Sequence, residues 1–194
     1  MIRILTLTRA AHVMHKAFPI PVAVLLSTVL APPAEAQQNS PAALETIRNY
    51  QVVSDRLASA GQISYEQIPL LGAQGYEVVV NLASADAERN GQEGFLVAQS
   101  GLTYVHIPVD WERPRLSDVE MFFDVMKANE DRKVFVHCFA NMRASAFVYM
   151  YRTLVEGVPE AEARETMSEV WDPDRLQQWA GLIEQVRREH AGRQ

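Results

Sequence analysis

Apolar and polar positions along this chain follow two periods, and the places where the period changes mark its elements. Val134, Phe135 and Val136 form a short apolar run bounded by Lys133 and His137, which predicts a buried strand. Just beyond it, Phe147, Met150, Tyr151 and Leu154 recur at helical spacing. Upstream, Tyr76 to Leu82 (YEVVVNL) and Tyr104 to Val109 (YVHIPV) predict two further strands, and Tyr50 to Ala60 reads as two extended pieces around Ser54 and Asp55, ending at Gly61. A short helix is expected from the capping-box spacing of Ser64 and Gln67, closing by Gly72 or Gly75 with Pro69 inside it. Another is expected from about Ala87 to Gln99. A second capping box, Ser117 to Glu120, predicts a helix with Leu116, Val119, Phe122, Phe123 and Met126 on its apolar face. Glu162 to Trp171 and Pro173 to His190 complete the helical set, the latter opened by Asp172 as N-cap and Pro173 at the first helical position. Strands alternating with helices predict an α/β fold, with a central, mostly parallel, twisted sheet and helices on both faces. Ligands belong at the carboxyl ends of such strands.

The first 36 of the 194 residues read differently. Arg3, Arg9 and Lys16 precede an apolar run from Phe18 to Ala31, and Ala34-Glu35-Ala36 supplies small residues at a cleavage site, so residues 1–36 are expected to be an export signal cut after Ala36. The run contains Pro19 and Pro21 and is short of the roughly 20 residues of a membrane-spanning helix. Met14 offers an alternative start. Residues 37–49 are expected to form a polar N-terminal segment, frayed over Gln37 to Ala42, with the folded domain over residues 50–194. Removing Arg3, Arg9, Lys16 and Glu35 takes the formal net charge from −6 to −8. An acidic domain of this kind has no electrostatic reason to bind nucleic acid or an anionic membrane. The expected location is the periplasm or the exterior, where a lone cysteine forms no internal disulfide. That leaves Cys138 either inert in the core or kept for chemistry.

Its setting favours chemistry. A strand that stops at Cys138, loops briefly and opens a helix aims backbone N–H groups and the positive end of the helix dipole at one point, an anion site. A thiol beside a helix N-terminus and a guanidinium is stabilised as its thiolate. Arg143 supplies the guanidinium, whose planar fork suits a phosphate, sulfate or carboxylate. The run His137, Cys138, Phe139, Ala140, Asn141, Met142, Arg143 resembles the signature of the cysteine-dependent protein tyrosine and dual-specificity phosphatases: His-Cys, five residues, Arg, then Ser or Thr. Here four residues separate Cys138 from Arg143, so the loop is one shorter. In one alignment Asn141 takes the place of a family glycine, the deletion falls before Arg143, and Ala144 stands where the family has a hydroxyl. In the other, the count is kept from Cys138 to Ser145 and Arg143 is displaced by one residue, about 100° around a helix. The first keeps the guanidinium facing the sulfur and is preferred.

The resemblance, which runs in outline from about Tyr50 to Glu156, implies a dual-specificity-phosphatase-like fold. It also implies hydrolysis of a phosphate monoester, the substrate being a phosphorylated protein or a small phosphate ester, and the protein is expected to be a monomer. Cys138 would take the phosphoryl group and Phe139, Ala140, Asn141, Met142 and Arg143 would cradle it. Asp110, at the end of the strand YVHIPV, would protonate the leaving oxygen, with Asp118 in reserve. His137 is expected to bond backbone and tune the thiolate, and Ser145 either to donate to the departing thiolate or to bond backward within its helix. His106 and His137 have no Cys or carboxylate at ligand spacing, so no metal is expected, and no cofactor pattern is present. Two other readings stay open. Rhodanese-type sulfurtransferases also place an Arg five positions after the cysteine, and a contracted loop also suits a module that binds an anion without turning it over.

Overall fold

A computed structural model of the protein describes residues 44–192. The expected export segment and Gln37 to Ala42 lie outside the described residues. Five strands form one sheet: β1 (Gln51–Ser54), β2 (Leu57–Ala60), β3 (Val78–Asn81), β4 (Thr103–His106) and β5 (Val134–His137). Their order is β1-β2-β5-β3-β4, with β1 antiparallel to β2 and every other pair parallel. The strand that leads into Cys138 is therefore the centre of the sheet, paired on both sides.

Alternation along the strands divides the core into two layers. Val134, Val136 and Cys138 of the β5 line pack with Val78, Val80 and Leu57 against four helices: α3 (Leu116–Ala128), α4 (Met142–Leu154), α5 (Glu160–Ser168) and α6 (Gln177–Ala191). Phe135, Val79, Ala58 and Ala60 face the other way, onto α1 (Ile68–Ala73) and α2 (Glu93–Gln99). That second layer reaches back to Leu44 and Ile47, both buried, ahead of Tyr50. Helix α4 is buried from Arg143 to Arg152, as expected of a helix enclosed by the sheet on one side and other helices around it.

The local signals differ in how well they place the element ends. The Ser64–Gln67 capping box forms, with Ser64 N–H donating to Gln67 Oε1 at 2.8 Å, and Pro69 falls in the first turn of α1, where its missing N–H does no harm. The second capping box does not form. Helix α3 is capped at Arg115, and Asp118, two positions into it from Leu116, is buried and clamped by Arg115 through bonds of 2.8 and 3.1 Å. The expected helix from Ala87 begins only at Glu93, because Ser84 to Gln92 is a turn tied by its own side chains. The strand YVHIPV ends at His106. Ile107 and Val109 continue beside β3 through bonds to Asn81 and Leu82 carbonyls, so Asp110 lies four residues past the strand. The last helical stretch breaks at Leu176 into a 3-10 turn, Pro173–Arg175, and α6, and Asp172 caps the turn by accepting Asp174 N–H at 3.1 Å.

Phe135 sits where the two layers meet the sheet centre, edge-on to Tyr76 at 5.5 Å and stacked on Tyr50 at 6.4 Å. Truncating it to Ala leaves a cavity that these rings cannot close, at a cost of about 3–5 kcal/mol. Exposed Val52→Ala should stay within about 0.5 kcal/mol. Urea denaturation of the two variants checks both values.

Candidate active site

The loop after β5 takes its shape from contacts behind it. Asn141, the residue before α4, adopts the left-handed conformation with φ 65°, which Asn tolerates better than other non-glycine residues. Its Nδ2 donates to the Asn49 carbonyl at 2.7 Å and to Ser59 Oγ at 3.1 Å, while Asn49 Nδ2 donates to the Ala140 carbonyl at 2.9 Å. Gln62 N–H donates to the Phe139 carbonyl at 3.4 Å. The carbonyls of Phe139 and Ala140 are thus engaged from one side. None of the N–H groups of Phe139, Ala140, Met142 and Arg143 finds an acceptor among the described residues. Gly61 is needed for this packing: a Cβ there would lie 2.8 Å from the Arg48 carbonyl oxygen and 3.3 Å from that of Phe139.

Arg143 occupies the second position of α4, beside the free N–H groups at its N-terminus. It is 8 % exposed, and its guanidinium lies 5.3 Å from the Trp111 ring centre and 5.9 Å from that of Phe139. Its buried Nε has no hydrogen-bond partner among the described residues. This favours the alignment in which Asn141 replaces glycine and the guanidinium stays in the cradle. Cys138, on the opposite face of β5 from His137, is fully buried. Of the buried side-chain atoms without a partner among the described residues, Gln62 Oε1, His137 Nδ1, Asn141 Oδ1 and Arg143 Nε all belong to this loop or the residues behind it. Buried polar groups rarely go unpaired, so their concentration here marks a place that a polar ligand or water completes.

Asp110 is brought near the cradle through its neighbour, since Trp111 lies under the Arg143 guanidinium and its carbonyl is held by Trp179 Nε1 at 3.1 Å. The carboxylate itself turns back on its own loop. Its Oδ1 accepts the N–H groups of Glu112 and Arg113 at 2.9 and 3.1 Å, and these bonds hold its pKa below the ordinary 3.8. Asp118, clamped by Arg115, takes a structural role. Ser145 Oγ bonds backward to the Met142 carbonyl at 3.2 Å and accepts Trp171 Nε1 at 3.2 Å. His106 is held by the Ala83 carbonyl at 2.8 Å.

His137 departs from expectation. Its Nε2 donates at 2.8 Å to Glu93 Oε1, and both side chains are fully buried. A backbone partner was expected; a carboxylate from the first residue of α2 takes that place. Glu93 also accepts Gln62 Nε2 at 2.6 Å and Asn81 Nδ2 at 3.0 Å. Burial pushes the Glu93 carboxyl up, but the hydrogen bond and charge of His137, with the bonds from Gln62 and Tyr104, outweigh it and hold the pKa below its ordinary 4.5. Sequence reading missed Glu93 because an acidic residue at the start of a polar helical segment is usually a solvated complement to the dipole. The signal available was His137, a strand histidine in need of a partner.

A carboxylate whose pKa is lower folded than unfolded adds stability above its unfolded value, and that stability is lost as pH falls through the folded value. Urea denaturation of the wild type and Glu93→Gln across pH 7 to 3 should therefore show the largest gap above about pH 4.5, closing on acidification. Glu93→Ala, which strands His137, should cost about 3 kcal/mol at neutral pH. A gap independent of pH would show that Glu93 is not held as the anion.

Residues 42–180 match the family described as a DSP-PTPase phosphatase fused to NAD+ kinase. Among solved structures, a phosphatase candidate of the DUF442 group from Shewanella putrefaciens CN-32 is 37 % identical, with a TM-score of 0.70 over 78 % of this chain and 99 % of that one. P. aeruginosa TpbA, solved in complex with pTyr, shares the fold at 20 % identity and a TM-score of 0.57, over 74 % and 90 % of the two chains. A beta-lactamase hydrolase-like protein of Agrobacterium fabrum is 34 % identical over 97 residues, covering 47 % of this chain and only 22 % of the relative's length. The family match over residues 42–180, more than half of the chain, with the 37 % identical structure covered over nearly its whole length, leads to one assignment: the chain belongs to the DSP-PTPase phosphatase family.

Proposed function

We propose that this protein hydrolyses phosphate monoesters through a phosphocysteine. The Cys138 thiolate attacks phosphorus, the bond to the leaving oxygen breaks, and Asp110 gives that oxygen its proton. Water then attacks the phosphocysteine, Asp110 takes the water proton, and the P–S bond breaks to release phosphate and the thiolate. Arg143 and the free loop N–H groups hold the phosphoryl oxygens. The observation that carries this reading is the buried Arg143 at the N-terminus of α4, its Nε without a partner among the described residues, an arrangement a tetrahedral dianion completes. The substrate class is a phosphorylated protein or a small phosphate ester, and the expected export signal places the reaction in the periplasm or outside the cell. Fractionation of cells expressing the full chain tests the location.

A second reading, anion capture without turnover, is favoured by the complete burial of Cys138, since attack requires the loop to open over the sulfur. Loss of one cradle donor from the shortened loop would itself cost about 10²–10³ in rate if that donor stabilises the transition state.

The readings separate on a phosphate monoester and on thiosulfate with cyanide. Hydrolysis predicts release of phosphate that falls by about 10³ or more in Cys138→Ser. Asp110→Asn should lose about 10²–10⁴ on an alkyl phosphate and much less on p-nitrophenyl phosphate, whose leaving group needs little protonation. Its loop N–H bonds hold Asp110 below the ordinary 3.8, so the acid form is scarce at neutral pH and accumulates only on acidification into that range; the alkyl phosphate rate should carry a component that rises there in the wild type and is lost in Asp110→Asn. Thiocyanate production that needs Cys138 but not Asp110 would replace this reading with sulfur transfer. Phosphate binding with no turnover would replace it with capture.

A further inference from the structure

A second guanidinium stands against the cradle. The Arg89 guanidinium carbon lies 4.6 Å from the Phe139 ring centre, the same ring that Arg143 approaches at 5.9 Å. The two cations are therefore no farther apart than these two distances laid end to end. Arg143 is buried, whereas the Arg89 side chain is 59 % exposed. It forms an exposed ion pair with Asp86, whose Oδ2 is 3.7 Å from Nε, too far for a hydrogen bond. Among the described residues no acceptor takes a hydrogen bond from the Arg89 fork, so its donors are available at the edge of the site.

The turn that carries Arg89 is fixed. Asp86 Oδ1 accepts the N–H groups of Glu88 and Arg89, both at 3.0 Å, and buried Asn90 bonds Ser84 O at 3.0 Å and Asp86 N–H at 2.8 Å. Gly91 closes it tightly, since a Cβ there would lie 2.5 Å from the Ala87 carbonyl oxygen. Two residues later, Glu93 bonds the ring of His137, the residue before Cys138. The backbone under Arg89 is thereby tied to the backbone under the nucleophile, which is how a recognition residue is kept in register with a reacting centre.

We propose that Arg89 is a second anion-recognition residue, and that the substrate is a small phosphate monoester carrying a further anionic group, a carboxylate or second phosphoryl, on the part that departs. The inference deepens the phosphatase reading and rests on it for the identity of the group in the cradle. A planar fork on an aromatic ring takes either anion bidentately. In a chain of net charge −6, two guanidinium groups against one ring also draw a doubly anionic molecule toward the loop. A phosphotyrosine side chain would present an uncharged ring to Arg89 and leave it unused.

The test uses non-hydrolysable phosphonates, so it reads recognition apart from turnover. Calorimetric titration of the purified protein with phenylphosphonate and 4-carboxyphenylphosphonate should show about tenfold tighter binding of the carboxylated compound, a preference that weakens with added salt. In Arg89→Ala the preference should fall to about one, and Arg89→Lys should keep part of it. The same preference in Arg89→Ala as in the wild type, or none in the wild type, overturns the proposal, as does failure of both compounds to bind. An Arg89-dependent preference for an acidic over a neutral phosphopeptide, with none for the carboxylated phosphonate, overturns the small-molecule assignment. Normal phosphonate recognition without hydrolysis of the matching phosphates sinks the hydrolase reading and leaves the role of Arg89 standing.

Discussion

The cradle depends on which way the peptide groups of Phe139 to Arg143 face, and that is settled from behind. Asn141 can turn the chain into the left-handed region because its side chain is gripped by Asn49 and Ser59, and Asn49 in return holds the Ala140 carbonyl. With those carbonyls engaged, the N–H groups and the start of α4 face the remaining side. Positive potential collects there, with the buried Arg143 Nε in it unpaired among the described residues. Leaving such a group unpaired costs roughly 1–3 kcal/mol or more, and that cost is what the proposed anion would recover.

Two further layers hold this loop in place. Behind the strand, Glu93 gathers His137, Gln62 and Asn81 into one buried network, so the start of α2 and the centre of the sheet cannot shift independently. In front, Trp111, Trp171 and Trp179 pack with ring centres 5.1 to 5.6 Å apart. Trp171 donates to the first turn of α4, and Trp179 holds the carbonyl of Trp111. The loop bearing Asp110 is thus positioned by the C-terminal helix, a segment that contributes no reacting group. A rigid support on both sides suits recognition of a compact anion, where small displacements lose charge-assisted hydrogen bonds.

Local period and local chemistry alone specified the central strand, the helix after it and the turn between them. The run Val134 to Val136 had to be a buried strand, the spacing from Phe147 to Leu154 had to be a helix, and Cys138 with Arg143 between them had to stand at a strand-to-helix turn. The Ser64 and Asp172 caps formed because their partners lie within three residues. The tertiary structure decided the rest, because polar side chains take the partner that the fold places nearest. Asn141 reaches Asn49 across 92 positions and His137 reaches Glu93 across 44, pairings with no periodic trace in the chain. The same competition put the N-cap of α3 at Arg115, where Arg115 clamps Asp118, and turned the Asp110 carboxylate back onto its own loop. Period sets which face of an element is buried, whereas the meeting of elements sets which buried polar groups are satisfied and which are left for a ligand.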